Sequence, residues 1–542
     1  MASTRQVKKL LLFVFMCLVT FILVFFIIFE MNHAGIYRYS LSKEQPATFI
    51  SNHILPSVES DMMSHIALRM PNIPLQFLSD HQLLESSSKG KETCPRIPYI
   101  YDLKVQNEQW QEFPTQEGTL HLFRAYYDDR EPEPTGSVIR ILAMMDRINP
   151  KVPLVCQLWF QSKQIEPRLS NVTNVDLIWV RAWGNNRDGI LQPYLITCPL
   201  PKDSGHEVPV MVSLVEKQCD KAENALFVFN SDLSRHPDHQ EALAVCVKGF
   251  DIPTDDLSVR IVEWVEMLKV MGVNRLFLYN MAVHPNVQRV LDYYVRDGFV
   301  DLTNLSLPGN QPNLDLLRHL YLKHKIIHKR QNEVIPYNDC LYRSLFHYER
   351  VALLDFDEMI VPLMDYNWLD LTKRLLSPRP VANLSSPSQT DYSDLSSICF
   401  RNVYFMDNMI SPDGVTEDQL IQGIPSHFHM LRHVFRARQY SKLGHYSKCF
   451  HTVQVIKALH NHFPLRCLSS KKMRRRSSAC SSRHVDLSMA HLQHYRSECV
   501  AELSSVCEMK YKKNATLSPR ILVWKDEIIQ RSTRVLSQLN LY

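Results

Sequence analysis

Hydrophobic and polar positions divide the chain into four textures. The first is an unbroken apolar run from Leu10 to Phe29, preceded by Arg5, Lys8 and Lys9 and closed by Glu30. Twenty residues rising about 1.5 Å each reach about 30 Å, the thickness of a bilayer's hydrocarbon core. A cleaved signal peptide has a shorter apolar region and a small-residue cleavage site. With its basic residues before the span, the run predicts a single-pass type II signal anchor: a cytoplasmic tail over 1–9, a transmembrane helix over 10–29 and a luminal body. Residues 30–93 are polar and irregular, with Pro46, Pro56, Pro71 and Pro74 and the run Ser86–Lys91, and read as a stem.

Residues 94–240 carry short apolar runs between turn residues: Val138–Met145, Leu154–Phe160, Asp176–Ala182, Val208–Val215 and Ala225–Phe229. Runs of this length, dense in Val, Ile and Phe, predict strands, and together an all-β, sandwich-like module. From 241 to 542 the texture alternates. Ala242–Val247 reads as a strand. Leu257, Ile261, Trp264, Leu268 and Met271 fall at helical spacing, with Asp255 or Asp256 as cap and Gly272 as stop. Arg275–Asn280 is a second strand, a helix opens at Pro285 and closes at Gly298, and Phe299–Leu302 is a third strand. This β-α-β-α-β order predicts a parallel sheet with helices on both faces, its ligands at the carboxyl ends of the strands. Near the C-terminus, Ile521-Leu522, Ile528-Ile529 and Val535-Leu536 recur every seven residues, the mark of a packing helix.

One segment of the α/β region carries chemistry: Val351-Ala-Leu-Leu-Asp-Phe-Asp-Glu-Met-Ile-Val-Pro362. It opens as a buried strand and then presents acids. On an extended chain Asp355 and Asp357 point to one side and Phe356 into the core. Two carboxylates at a strand end can hold a divalent cation through oxygen, and that cation can hold a diphosphate leaving group. The competing reading is an acidic turn exposed to water.

Composition narrows the classes. Glycine is scarce, 14 of 542 residues against a usual ~7 per cent, and neither a G-x-G-x-x-G nor a P-loop motif is present, so a nucleotide site has to be of another kind. A net charge of +5 is too slight for a nucleic-acid partner. Sequons at Asn171, Asn304, Asn383 and Asn514, and 12 cysteines beyond the apolar run (13 in all, Cys17 within it), fit an oxidising lumen and disulfides. C-x-x-C and H-E-x-x-H are absent. The basic run Lys471–Arg476 and the Ser/Pro-rich stretch Ser377–Ser397 read as solvated loops.

The stretch from Val245 to Pro362 resembles glycosyltransferase family 92. The matching pieces are Val245-Cys-Val-Lys248, Glu263-Trp264, Met271-Gly-Val-Asn274, Leu278-Tyr-Asn280, Asn338-Asp-Cys-Leu341 and Leu353-Leu-Asp-Phe-Asp-Glu-Met-Ile-Val-Pro362; a later segment, Lys448 with Ala458-Leu-His-Asn-His-Phe-Pro464, resembles the family's closing basic and histidine motif. The resemblance implies a GT-A type, Rossmann-like catalytic domain, Golgi localisation, manganese as cofactor and UDP-galactose as donor. The implied reaction is inverting β1,4 transfer of galactose to a glycan acceptor on a glycoprotein or glycolipid, such as terminal β-galactose or the fucose of N-glycans. Carried over by position, Asp355 and Asp357 are the metal and nucleotide acids. His462 completes the metal shell, with His460 as rival. Lys248, Tyr279 and Asn280 stand at the ends of the first two strands, where the uridine is expected, and Lys448 meets the diphosphate. Inversion needs a carboxylate base, and Asp407, Asp413, Glu417 and Asp418 are the candidates that follow the metal strand. Two other readings stay open: a catalytically inactive carbohydrate-binding membrane protein, and the same fold using another UDP-sugar.

Overall fold

The strand that opens the α/β region, Glu241–Ile252 (β10), is apolar on both faces, and both faces are covered. In the computed structural model, which describes residues 57–80, 95–131, 135–161, 166–205, 207–229, 241–377, 395–407, 409, 420–468, 480–499, 504–513 and 515–542, β10 is an interior strand of a seven-stranded sheet. Arg275–Val283 (β11) and Val300–Asn304 (β12) follow on one side, and Tyr348–Leu353 (β13) lies on the other, all parallel. Beyond β13 come Lys448–Thr452 (β18), antiparallel, then Ser397–Phe400 (β15) and Ser482–His484 (β21).

Side-chain alternation sorts the two faces. Val245, Val247, Leu276 and Leu278 share a core with Ser258–Val270 (α1) and Pro285–Arg296 (α2). Ala244, Cys246, Phe277 and Tyr279 pack instead with Ile326–Arg343 (α4), which follows the exposed helix Asp315–His324 (α3). The predicted signals operate as expected. Asp256 accepts from the Ser258 N–H at 3.1 Å, Pro285 opens α2, and Gly272 ends α1 with φ of +83°, a conformation that costs a side chain strain. The seven-residue repeat becomes Lys525–Gln538 (α6), which packs on α1 through buried Ile528, Val535 and Leu536.

The N-terminal β region forms one hydrogen-bonded ladder. Its order is Arg168–Asn171 (β5), Val155–Trp159 (β4), Met211–Val215 (β8), Leu226–Phe229 (β9), Gly118–Asp128 (β2), Val138–Met145 (β3), Gln192–Pro199 (β7) and Asn174–Leu177 (β6), with Gln111–Thr115 (β1) beside β2. Strand β9 pairs with β8 through its first residues and with β2 through its last, so the ladder turns there. The two ends, β5 and β6, are consecutive in sequence, and the Cys156–Cys198 disulfide staples β4 to β7 across the fold. The predicted sandwich is thus one sheet folded onto itself.

The apolar core does not stop at residue 240: side chains of β2, β3 and β7 share it with α4 and with Val453–Leu459, and residues 62–542 form one compact unit. At this junction Asp339, fully buried on α4, accepts from Arg124 Nη1 (3.1 and 3.0 Å), from the Tyr126 hydroxyl and from the Tyr279 hydroxyl (2.6 Å). Burial pushes this carboxyl up, but Arg124 and Arg343 outweigh it and hold it below the usual carboxylate range.

Five disulfides join described residues: Cys156–Cys198, Cys246–Cys340, Cys399–Cys449, Cys467–Cys480 and Cys499–Cys507. Cys219 is disulfide-bonded as well. The sequons Asn171 and Asn304 lie exposed on β5 and β12. The apolar run 10–29, the sequons Asn383 and Asn514, and the candidate bases Asp413, Glu417 and Asp418 lie outside the described residues. Among the described residues no helix is long and apolar enough to cross a membrane.

Removing one partner of a buried ion cluster strands the others in low dielectric. Asp339→Ala should therefore destabilise the protein by about 3–5 kcal/mol, seen as a fall in denaturation midpoint. A midpoint unchanged from wild type would show that the junction does not depend on this cluster.

Candidate active site

Strand β13 ends at Leu353, and the next strand, Glu358–Pro362 (β14), belongs to a different sheet, with Ala490–Arg496 (β22) and Asn402–Met406 (β16). The chain has four residues in which to leave one sheet for the other. This corrects the expectation of an extended segment: Asp355–Asp357 form a turn closed by the Glu358 N–H on the Asp355 carbonyl at 3.0 Å. Phe356 is half-buried against Phe250, with ring centroids 5.6 Å apart. The turn is anchored from below, because Trp264 Nε1 donates to the Glu358 carbonyl at 2.9 Å and the Glu358 carboxylate accepts from the Asp355 N–H at 3.0 Å.

Both predicted lysines meet Asp355. Lys248 Nζ is 3.0 Å and Lys448 Nζ 3.7 Å from Asp355 Oδ2. Lys448 is wholly buried and also reaches Glu358 at 3.3 Å and Asn461 Oδ1 at 2.8 Å. Burial pushes Asp355 up, yet the two lysines hold it far below the usual carboxylate range. Its other oxygen, Oδ1, is buried with no hydrogen-bond partner, a costly state unless something else satisfies it.

Asp357 is paired by residues that the sequence did not single out. His494 Nε2 lies 3.3 Å and Arg496 Nη1 3.9 Å from Asp357 Oδ2. Both sit on β22, which runs antiparallel to β14 with Glu358 opposite His494. His494 Nδ1 faces Asn402 Oδ1 at 3.1 Å, and the Asn402 amide nitrogen donates to Ser441. That bond fixes the tautomer and aims Nε2 at the acid, as the outer partner of a metal-binding histidine does. The expected ligand, His462, lines the same cavity, but the histidine paired with Asp357 is His494. His462 Nδ1 donates to the Ser447 carbonyl at 3.1 Å, and the acid whose charge reaches its ring is Asp355. Burial, with Lys448 adding to it, lowers the His462 pKa to about 3. Its rival His460 is buried against Phe463 and Trp183, its pKa lowered by burial to about 4.

Next to the turn opens a cavity of about 670 Å³, walled among others by Lys248, Lys329, Arg330, Asp355, His462 and Arg496. Lys323 brings its lysines and arginines to five, against carboxylates at Glu333, Asp355 and Glu358. Trp183, from a turn of the N-terminal β region, forms part of the wall beneath the Arg330 guanidinium. Tyr279 and Asn280 are not brought here. Tyr279 shares the face of β11 that packs under α4 and is bound to Asp339; the Asn280 amide donates to Gln288 Oε1 at 3.0 Å. Asp407, just past β16, pairs with His433 Nε2 at 2.7 Å.

The sequence profile of glycosyltransferase family 92 matches residues 241–530. The chain belongs to this family. No curated protein matches the sequence. The match spans β10, the acidic turn, both lysines, β22 and the first turns of α6, so this family 92 glycosyltransferase keeps its charged cavity inside the matched region, with Trp183 added from outside it.

Electrostatics of the glycosyltransferase site centre on one pair. Burial alone would lower the His494 pKa; Asp357, and then Glu358, raise it above 6.5. Burial pushes Asp357 up, and His494 brings it below its ordinary value. A histidine with a raised folded pKa adds stability that is fully present below its unfolded value and lost as pH rises through the folded one. In chelator, the melting temperature of the wild-type enzyme should therefore fall, as pH rises above about 6.5, more steeply than that of His494→Gln. Identical slopes would mean that the pair contributes nothing.

Proposed function

We propose that this glycosyltransferase transfers galactose from UDP-galactose, with inversion and in β1,4 linkage, to a glycan acceptor. We infer a GT-A type catalytic domain, held in the Golgi lumen by a type II anchor over residues 10–29. The observation that carries the reading is the cavity at the acidic turn, lined by five basic side chains and by Asp355, one of whose carboxylate oxygens is buried and unpartnered. That arrangement suits a nucleoside diphosphate with a divalent cation.

The donor set fits manganese. Asp355 Oδ1 is buried and unsatisfied, the Asp357 side chain is 27% exposed, and the His494 imidazole is aimed at it. Asp355, Asp357 and His494 would hold the ion, with His494 in place of His462. A bound divalent cation offsets the charge that develops on the departing diphosphate. Lys248 and Arg496 reinforce this from the cavity wall, and buried Lys448 fixes the orientation of Asp355 through Asn461 and Glu358. Trp183, Tyr446 and Phe463 offer aromatic surface for the donor's rings. Inversion needs a carboxylate to take the acceptor hydroxyl proton. Asp413, Glu417 and Asp418, between β16 and Phe435–Ala437 (β17), are the candidates we retain.

With full-length protein and UDP-galactose, UDP-glucose and UDP-N-acetylglucosamine as donors, only UDP-galactose should be consumed. Asp357→Asn should lower turnover by about 10³-fold or more, because Lewis-acid assistance contributes several kcal/mol and each 1.36 kcal/mol is tenfold. Chelation should abolish turnover and manganese restore it, with His494→Ala raising the manganese requirement more than His462→Ala. A folded Asp357→Asn enzyme with wild-type turnover would sink the assignment.

Topology has its own check. Asn171→Gln and Asn304→Gln should each remove one glycosidase-sensitive mobility step from the protein made in cells. A chain with no such step, digested throughout by protease in sealed microsomes, would overturn the luminal reading.

A further inference from the structure

Outside the acidic turn, the described residues hold a convergence of metal-binding side chains. Ligand atoms of Asp407, His429 and His433 all lie within 4.8 Å of one another, and each residue is half-buried. His433 sets the problem. Its Nδ1 is 2.6 Å from the His429 carbonyl oxygen, and its Nε2 is 2.7 Å from Asp407 Oδ1. Both partners are acceptors. A neutral imidazole has one N–H and can satisfy one of them. With Nδ1–H on the carbonyl, the Nε2 lone pair faces a carboxylate lone pair, and that contact needs a positive charge: a proton or a metal ion.

The third residue points to the ion. The His429 carbonyl and its edge contact with the His433 ring, centroids 4.4 Å apart, hold the pair together, and an ion bound by one carboxylate oxygen and two imidazole nitrogens would use all three side chains. The Nδ1–H bond to a backbone carbonyl is also what holds a metal-binding histidine in the tautomer that leaves Nε2 free. The scaffold is prepared. Glu263, buried on α1, accepts from the backbone N–H groups of His429, Met430 and Leu431 at 2.7, 3.0 and 2.9 Å, which fixes the loop that carries His429. The Asp407 N–H donates to the Arg496 carbonyl at 3.2 Å, which ties the acid to β22.

We propose that Asp407, His429 and His433 bind a zinc ion through ligands distinct from Asp355, Asp357 and His494. Zinc is the ion that two imidazoles and one carboxylate suit, with a fourth position left for water. Zinc–ligand bonds of about 2.0–2.1 Å in tetrahedral array set ligand atoms about 3.3–3.4 Å apart, so the Asp407–His433 contact opens by roughly 0.6 Å and the separations to His429, within 4.8 Å, adjust to the same value by rotation of half-buried side chains. The ion clamps the 429–433 loop to the end of β16, behind the strand that presents His494 and Arg496 to the transferase site.

The test is metal content. Full-length protein purified without chelator or added metal, and dialysed against zinc-depleted buffer, should retain about one zinc per chain by plasma mass spectrometry. Asp357→Asn should retain it; Asp407→Asn and His433→Ala should lose it while keeping the wild-type circular dichroism spectrum. Cobalt supplied to zinc-stripped wild type should give visible ligand-field absorption that is absent from Asp407→Asn, the isosteric change that decides the matter where His433→Ala fails to fold. Wild-type protein free of zinc and silent with cobalt would overturn the proposal. So would zinc retained in a folded His433→Ala, or zinc lost from Asp357→Asn, which would assign the metal to the acidic turn.

Discussion

Asp355 holds the catalytic half of the protein in register. Its carboxylate stands between Lys248 on β10 and Lys448 at the start of β18, and its backbone joins β13 to the turn into β14. Three strands of the seven-stranded sheet thus converge on one charge, and the chain passes from there into the three-stranded sheet. A buried charge is tolerable only where partners surround it. Here the partners are cations from strands about two hundred residues apart in sequence, so the site exists only when the whole sheet is assembled. Glu358 completes the set: buried beside Lys448, it accepts the Asp355 N–H and fixes the backbone that presents both aspartates.

The same economy governs the junction between the N-terminal sheet and the α/β region. Asp339 gathers Arg124 and Tyr126 from β2 and Tyr279 from β11. A single apolar core then runs from β3 and β7 through α4 to β10 and β11. One consequence is functional. Because the N-terminal sheet is packed on α4, its Trp183 reaches the cavity wall beside His462, and the cavity belongs to both regions. The family match begins at residue 241, so this tryptophan is a contribution of the chain outside the shared sequence.

β22 explains how a second layer of polar side chains is recruited. Antiparallel to β14 and parallel to β16, it sets His494 opposite Glu358 and beside Tyr404, and Arg496 beside Met406, one residue before Asp407. The pairing register, rather than any local motif, brings His494 to Asp357 and the Asp407 cluster to the back of the same strand.

Local physics made much of this legible in the sequence. Apolar periodicity placed β10, α1, β11, α2 and β12, and glycine and proline marked the helix ends, because those signals act within a few residues. An acid pair following a buried strand marked the functional turn, and an even number of cysteines in the expected lumen marked the disulfides. Tertiary structure decided what depends on partners distant in the chain. Tyr279 was expected in the nucleotide site, yet strand parity puts it with Phe277 on the face under α4, and alternation alone cannot say which face meets the ligand. His462 and His494 are both histidines near a strand end. Only the pairing of β14 with β22, across more than a hundred residues, gives Asp357 the second and leaves the first beside Lys448. Sequence fixed the chemistry available at each position; the register of strands far apart in the chain selected which side chains meet.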